Sequence, residues 1–276
     1  MKEHQATLVA EGFVFLEAPR WRDNRLWVSD VFGCKLYTVL EDGTRSAICE
    51  VPGRPAGIGF LPDNTPIVVS CADKKLMRVS EGALSVYADL TDVAAGDLND
   101  LVIDEIGRVY VGNFGYDLFG GAPIELTEMH VVHPDGSVRV AATGLEFPNG
   151  AVIRDDGRML VVAETWCGKL TAYDRDQNGE LSNRRLFADL GHRQPDGICA
   201  DERGGIWVGC YNTGEFIRVL EGGEITDRIK FEGNAVSCAI GGASGTTLFC
   251  CVYLGTDDQL RAREPRSAIY KAEITA

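Results

Sequence analysis

Positive charge is scarce in this 276-residue sequence: 27 Lys and Arg face 41 Asp and Glu, for a formal net charge of −14. So acidic a chain has no basic face for nucleic-acid phosphates, which excludes nucleic acid as a partner. Anionic membrane surfaces are excluded on the same ground. Long apolar runs are missing too, and nothing approaches the ~20 residues that cross a bilayer as a helix. The opening MKEHQATLVA lacks the basic-then-apolar order of a secretory signal, so a cytoplasmic protein is expected. The nine cysteines are odd in number and irregularly spaced, with Cys250-Cys251 the one close pair and no C-x-x-C. They read as reduced, mostly buried thiols. No P-loop, G-x-S-x-G elbow or dinucleotide fingerprint occurs. No linker, charge block or low-complexity stretch interrupts the chain, and residues 1–276 are expected to form one domain. The partner left is a small molecule, and the oligomeric state stays open.

What the chain does have is a phrase repeated six times. It runs EAPRWRDNRLWVSD from Glu17, AGIGFLPDNTPIVVS from Ala56, NDLVIDEIGRVYVGN from Asn99, NGAVIRDDGRMLVVA from Asn149, DGICADERGGIWVGC from Asp196 and SCAIGGASGTTLFCC from Ser237. Each copy is an apolar stretch, a turn rich in Asp, Asn and Gly, and a strand of branched and aromatic residues. Ile67, Tyr110, Leu160, Trp207 and Leu248 stand at one matched strand position, and Trp27 stands one residue earlier in its copy. A period of about 40–50 residues with hairpin punctuation is the mark of a propeller built from four-stranded sheets. KLYTVL, KLMRVS, MHVVHP, KLTAYD and FIRVL alternate apolar and polar residues between the copies and supply further strands. No helical period longer than a couple of turns is visible. The expected fold is all-β, a six-bladed β-propeller. SAIYKAEI leaves the last blade one strand short, and ATLVAEG near the N-terminus is expected to pair there and close the ring.

The first strand of a blade runs beside the central channel, so equivalent positions of different blades point at one axis. Here those anchors are Glu17, Ala56, Asn99, Asn149, Asp196 and Ser237. Asn-Asp and Asn-Gly are ordinary turn pairs, but Glu17 is no turn former, and the common register makes the set more than turns. Gathered carboxylates are costly to bury unless a cation joins them. Oxygen donors without His or Cys suit a hard divalent ion, with calcium favoured over magnesium or manganese and zinc disfavoured.

At these residues the sequence resembles the regucalcin/gluconolactonase family, which includes senescence marker protein 30. The matching motifs are LEAPRW, GDLNDLVID, LEFPNGAV and HRQPDGICAD, in the family's order over nearly the whole chain. The resemblance implies a six-bladed propeller with one divalent metal. It implies that Glu17, Asn149 and Asp196 are direct ligands, that Asn99 sits on the metal or reaches it through water, and that Asp196 is general base or nucleophile. One position departs. Sugar lactonases of the family carry a substrate-contacting arginine two residues before the Asn, where this chain has Asp97. A carboxylate there is expected to repel an anionic substrate.

The expected activity is metal-dependent opening of a small, partly apolar or sugar-type lactone, with a phosphotriesterase-like hydrolase or a non-catalytic calcium-binding propeller as alternatives. Specificity is expected from Asp97, from Phe114, Tyr116 and Phe119 of the GNFGYDLFGGAPIE loop, from Trp166, and from a Ser237 hydroxyl bond to substrate. Phe147 and Tyr211 are candidate walls, and Glu164 a candidate positioning residue. His130 and His133 read as structural, His192 as the one histidine near the mouth, and Asp104, Asp156 and Asp201 as hairpin residues.

Overall fold

A computed structural model of the chain describes residues 1–274, so the last two residues of the expected 1–276 domain lie outside the described part. The chain forms a six-bladed β-propeller. The innermost strands are Leu16–Arg22, Pro55–Phe60, Leu98–Ile103, Pro148–Arg154, Pro195–Ala200 and Asn234–Gly241. Each opens a sheet whose strands follow antiparallel from the axis outward. The alternating segments read from the sequence are the third strands, such as Lys35–Val39 and Lys169–Arg175. Ring closure is as expected: Thr7–Phe13 pairs antiparallel with Ser267–Glu273 as the outer strand of blade six. Two features were not read from the sequence. Lys2–Glu3 adds a short parallel strand to blade five, and Asp257–Arg261 forms a helix held by a Thr256–Gln259 capping box.

The core is distributed around the ring. Six of the seven buried apolar clusters each lie between two successive blades, as where Val161 and Phe187 of blade four meet Ile206 and Val208 of blade five. Ile67, Tyr110, Leu160, Trp207 and Leu248 are all fully buried in these interfaces, which explains their matched register. Between blades three and four ions join the apolar contact at its hairpin end. The Asp104 carboxylate accepts from the Ile106 and Arg108 amides in its own hairpin and pairs with Arg108 (2.5 Å) and with Arg175 of the next blade. Asp201 accepts from Arg203 and Gly205 in the same way and pairs with Arg218, while Asp156 is an exposed turn residue.

Candidate active site

All six inner strands carry a β-bulge near the anchor. In blades two to five the anchor and the next residue together face one residue of the second strand: Pro195 faces Cys210 and Ile198 faces Val208, leaving Asp196 and Gly197 opposite Gly209. A bulge bends its strand and re-aims the extra side chain. In blades two, four and five the residue after the anchor is a glycine that lets neighbouring blades close in: a Cβ on Gly150 would lie 2.6 Å from the Ile198 amide nitrogen. The bulges turn Asn99, Asn149 and Asp196 into one cavity of about 210 Å³, which Glu17 enters from its pairing with Ser29 just ahead of the blade-one bulge.

Blade six keeps the expected hairpin register. Ala239 faces Phe249 and Ile240 faces Leu248 there, as Ile198 faces Val208 and Cys199 faces Trp207 in blade five, so Ser237 is the counterpart of Asp196. The bulge of blade six, however, lies ahead of Ser237, between Ala235 and Ser237, and does not include it. The inner strand there has 8 residues against 6 in blade five, which carries Ser237 two places further along. The Ser237 hydroxyl is packed under Gly197, has no hydrogen-bond partner among the described residues and does not line the cavity.

Hydrogen bonds fix both anchor amides. Asn99 Nδ2 donates to the Pro148 carbonyl (3.3 Å), which can only accept. Thr165 commits its proton to the Pro195 carbonyl (2.8 Å), so its oxygen accepts from Asn149 Nδ2 (3.3 Å). Each Asn therefore presents its Oδ1 away from those partners. Behind the anchors, buried polar ends of the second strands hold the entering loops. Asp30 accepts from the Val14 and Phe15 amides, Asn113 from Gly96, and Glu164 from Glu146. Glu164 is a positioning group, fully buried and also bonded by Thr171 and Arg184.

Neither carboxylate of the anchor set is ion-paired among the described residues. Burial raises the Glu17 carboxyl from 4.5 to about 8; the neighbouring Asp100 charge adds to this and Arg54 opposes it. Burial likewise drives Asp196 well above the ordinary carboxylate range, with Glu17 and Asp100 adding, and the Asn149 amide and Gly197 N–H opposing. Asp100 itself is paired with Arg20 (2.8 Å), which reaches it from the other end of the axis. Two mutually repelling carboxylates, Asp196 buried and Glu17 part-buried, and two amide oxygens make an all-oxygen set whose charge reaches −2 when both ionise, which fits a hard divalent cation. Among the described residues no cluster of three or more His, Cys, Asp or Glu forms a metal site, so any ion here would depend on the two asparagines.

A second tier of the repeat also forms the wall. Two residues before each anchor stand Phe15, Arg54, Asp97, Phe147 and Gln194. Their carbonyls accept from Val31, Cys71, Phe114, Thr165 and Tyr211, the first residues past the second strands, at 2.8, 2.9, 2.9, 3.3 and 2.8 Å. Apart from Asp97, every residue of these two rows lines the cavity. Asp97 is instead paired with Arg54, whose guanidinium lies over Phe119, 4.4 Å from the ring centre. The expected repulsion of anions by Asp97 is thus offset by an arginine from another blade. Sequence reasoning missed Arg54, although the register that picks out Asp97 picks it out as well. Phe114, Phe119 and Trp166 line the cavity; Tyr116 stands behind it, with Trp166 Nε1 donating to its hydroxyl (2.7 Å). Leu260, on the short helix, was also missed and completes the wall, while His192 is exposed and outside it.

Fold and site define the class: a six-bladed propeller with an acidic, oxygen-lined centre at one mouth of its axis. The chain belongs to the family described as the SMP-30/Gluconolactonase/LRE-like region, whose sequence profile matches residues 15–252. It is 30% identical to regucalcin of Xenopus laevis, covering 96% of this chain and 92% of that one. In fold it is similar to a gluconolactonase from Xanthomonas campestris, with TM-score 0.81, 20% identity, and 99% and 90% of the two chains covered. It is likewise similar to a calcium-binding regucalcin from Agrobacterium tumefaciens, with TM-score 0.83, 19% identity, and 99% and 95% covered.

Proposed function

We propose that the protein is a divalent-metal-dependent hydrolase that opens a small lactone. One observation carries this reading: two carboxylates without an ion pair among the described residues and two asparagines with fixed amides face one cavity with apolar walls. Names of similar proteins, gluconolactonase and calcium-binding regucalcin, support the same direction. Glu17, Asn99, Asn149 and Asp196 would hold the ion, with calcium preferred for an oxygen-only set. Once bound, that ion supplies positive charge that polarises the lactone carbonyl and stabilises negative charge developing on its oxygen.

The residues of the chain do the rest. Asp196, kept ionised by the cation's charge, takes a proton from the attacking water or attacks the carbonyl carbon itself. In the first route the acyl C–O bond breaks as a C–O bond to the water oxygen forms. In the second it breaks as a bond to an Asp196 carboxylate oxygen forms, and water then cleaves that anhydride and frees Asp196. In both the ring oxygen leaves as a hydroxyl after gaining a proton. The products are one hydroxy acid and nothing else. Phe114, Phe147 and Trp166 keep bulk water from the reacting carbonyl.

The test is metal analysis of the purified protein together with lactone hydrolysis by wild type and Asp196→Asn. One equivalent of a divalent ion is expected in wild type, with chelation abolishing turnover. Asp196→Asn should keep its circular dichroism spectrum and lose about 10²–10⁴-fold in kcat. Unaltered hydrolysis in that variant would remove Asp196 from the chemistry. Tight calcium binding with no turnover of any ester would leave a calcium-binding propeller.

A further inference from the structure

The cavity wall indicates which lactone. We propose that the substrate is an uncharged lactone bearing an apolar side chain, and that the Asp97–Arg54 pair bars anionic analogues. This rests on the lactonase reading above and deepens it.

The wall is a continuous aromatic belt. It runs from Trp166 through Phe147 (5.0 Å between ring centres) to Phe114 (4.7 Å, stacked within 7°). From Phe114 it continues to Phe119 (6.1 Å), Phe32 (6.0 Å) and Phe15 (5.8 Å). At about 210 Å³ the space lies below the ~300–1,000 Å³ of drug-sized pockets, so the ligand is small.

Polar groups along this wall are almost all committed elsewhere. The Thr165 proton goes to the Pro195 carbonyl, and the Trp166 Nε1 proton goes to Tyr116. Arg54 is paired with Asp97 and spreads over the Phe119 and Phe32 rings, 4.4 and 5.9 Å from their centres. Above the anchors the Gln194 side chain and the Tyr211 hydroxyl lack a hydrogen bond among the described residues. A polyhydroxylated ring would lose water from several hydroxyls and find few partners, at a cost of ~1–3 kcal/mol for each group left unpaired. An alkyl or aryl substituent, in contrast, gains from every methylene removed from water.

The ion pair sets the charge rule. With Asp97 in place, Arg54 has no free charge to offer a substrate carboxylate. With Asp97 neutralised, the same guanidinium would face the cavity unpaired and recognise one.

The experiment measures kcat/KM for γ- and δ-lactones with alkyl chains of increasing length, for gluconolactone, and for a lactone carrying a carboxylate. Activity is expected to rise roughly fourfold per methylene until the wall is filled, with gluconolactone and the carboxylate-bearing lactone at the bottom. Asp97→Asn should raise the ratio of anionic to neutral lactone turnover tenfold or more. Phe119→Ala, at an exposed loop position, should flatten the chain-length series. Calorimetric titration with 2-alkylcyclohexanones, which cannot be hydrolysed, reads the same wall without turnover. If no lactone is opened but ketone affinity climbs with chain length, the lactonase reading fails and the apolar site stands. Preference for gluconolactone over the alkyl lactones, ketone affinity indifferent to chain length, or an unmoved charge ratio in Asp97→Asn would overturn the inference.

Discussion

At the scale of single residues, the anchors are set against each other by design of the fold. Glu17 is raised from 4.5 to about 8 mainly by burial, so in metal-free protein it folds protonated and ionises late. A group whose folded value lies above its unfolded value adds stability that is full below about 4.5 and lost as pH rises through about 8. Metal-stripped protein should therefore melt at progressively lower temperature from pH 5 to pH 8.5. The total effect should be on the order of a few kcal/mol, and saturating calcium should flatten the slope by neutralising the pair. Glu17→Gln should raise the melting temperature of the stripped protein at pH 8 and remove its response to calcium. Calorimetric scans with and without chelator check both, and a stripped wild type that gains stability with rising pH would contradict the burial argument. Asn149 invites a subtler change. Thr165→Val deletes the acceptor that turns its NH2 to the wall, so Asn149 should lose its preferred orientation. Calcium affinity should then fall about 10–100-fold, as when the partners behind a ligand are removed, and titration calorimetry reads this directly.

At the scale of the strand, the bulge turns a repeat into a site, and it explains what the sequence disclosed and what it hid. The alternation of apolar residues and the hairpin turns are local signals, so the blades, the third strands and the closing strand were legible. Four anchors were legible because the register repeats. Ser237 holds the matched position yet misses the cavity, because blade six starts its inner strand two residues earlier and bulges ahead of Ser237, which turn-to-turn spacing cannot show. Arg54 went unseen because its blade offers Ala56 at the anchor, and its pairing with Asp97 joins residues 43 positions apart. Leu260 sits on a helix of 5 residues, too short for periodicity, although its Thr-x-x-Gln cap was there to be read. The bulge makes its own prediction. A Cβ at Gly150 would meet the Asp196 carbonyl at 2.8 Å as well as the Ile198 amide, so Gly150→Ala must push blades four and five apart. The expected cost is ~1–3 kcal/mol of stability together with weaker calcium binding. Gly136→Ala, in a hairpin turn with open space around it and φ of 85°, should lose stability alone. Equal calcium affinity in the two variants would separate the bulge from the site.

For the molecule as a whole, ring closure and the candidate site meet at one place. The closing strand Thr7–Phe13 ends only three residues before the anchor strand Leu16–Arg22, which starts one residue ahead of Glu17. The segment between is tied down on both sides: Asp30 accepts from the Val14 and Phe15 amides (3.0 and 2.9 Å), and the Ser267 hydroxyl of blade six accepts from Leu16 (3.2 Å). Any opening of the seam between blades six and one must therefore loosen Glu17, while Asn99, Asn149 and Asp196 stay on blades that remain stacked. By linkage the effect runs both ways with equal free energy. An ion held in part by Glu17 must oppose opening of the seam. Hydrogen exchange followed by mass spectrometry should show calcium slowing exchange in residues 7–13 and 267–273, and a variant whose seam opens far enough to depopulate the closed ring should lose calcium affinity in proportion. Ser267→Ala is that variant, since it removes the acceptor for Leu16 and leaves every anchor in place. A loss of several-fold in affinity, matched by faster exchange across the seam, is the expected pair of results. Protection confined to blades three, four and five, with Ser267→Ala binding calcium as wild type does, would mean that Glu17 reaches the axis independently of how the ring is shut.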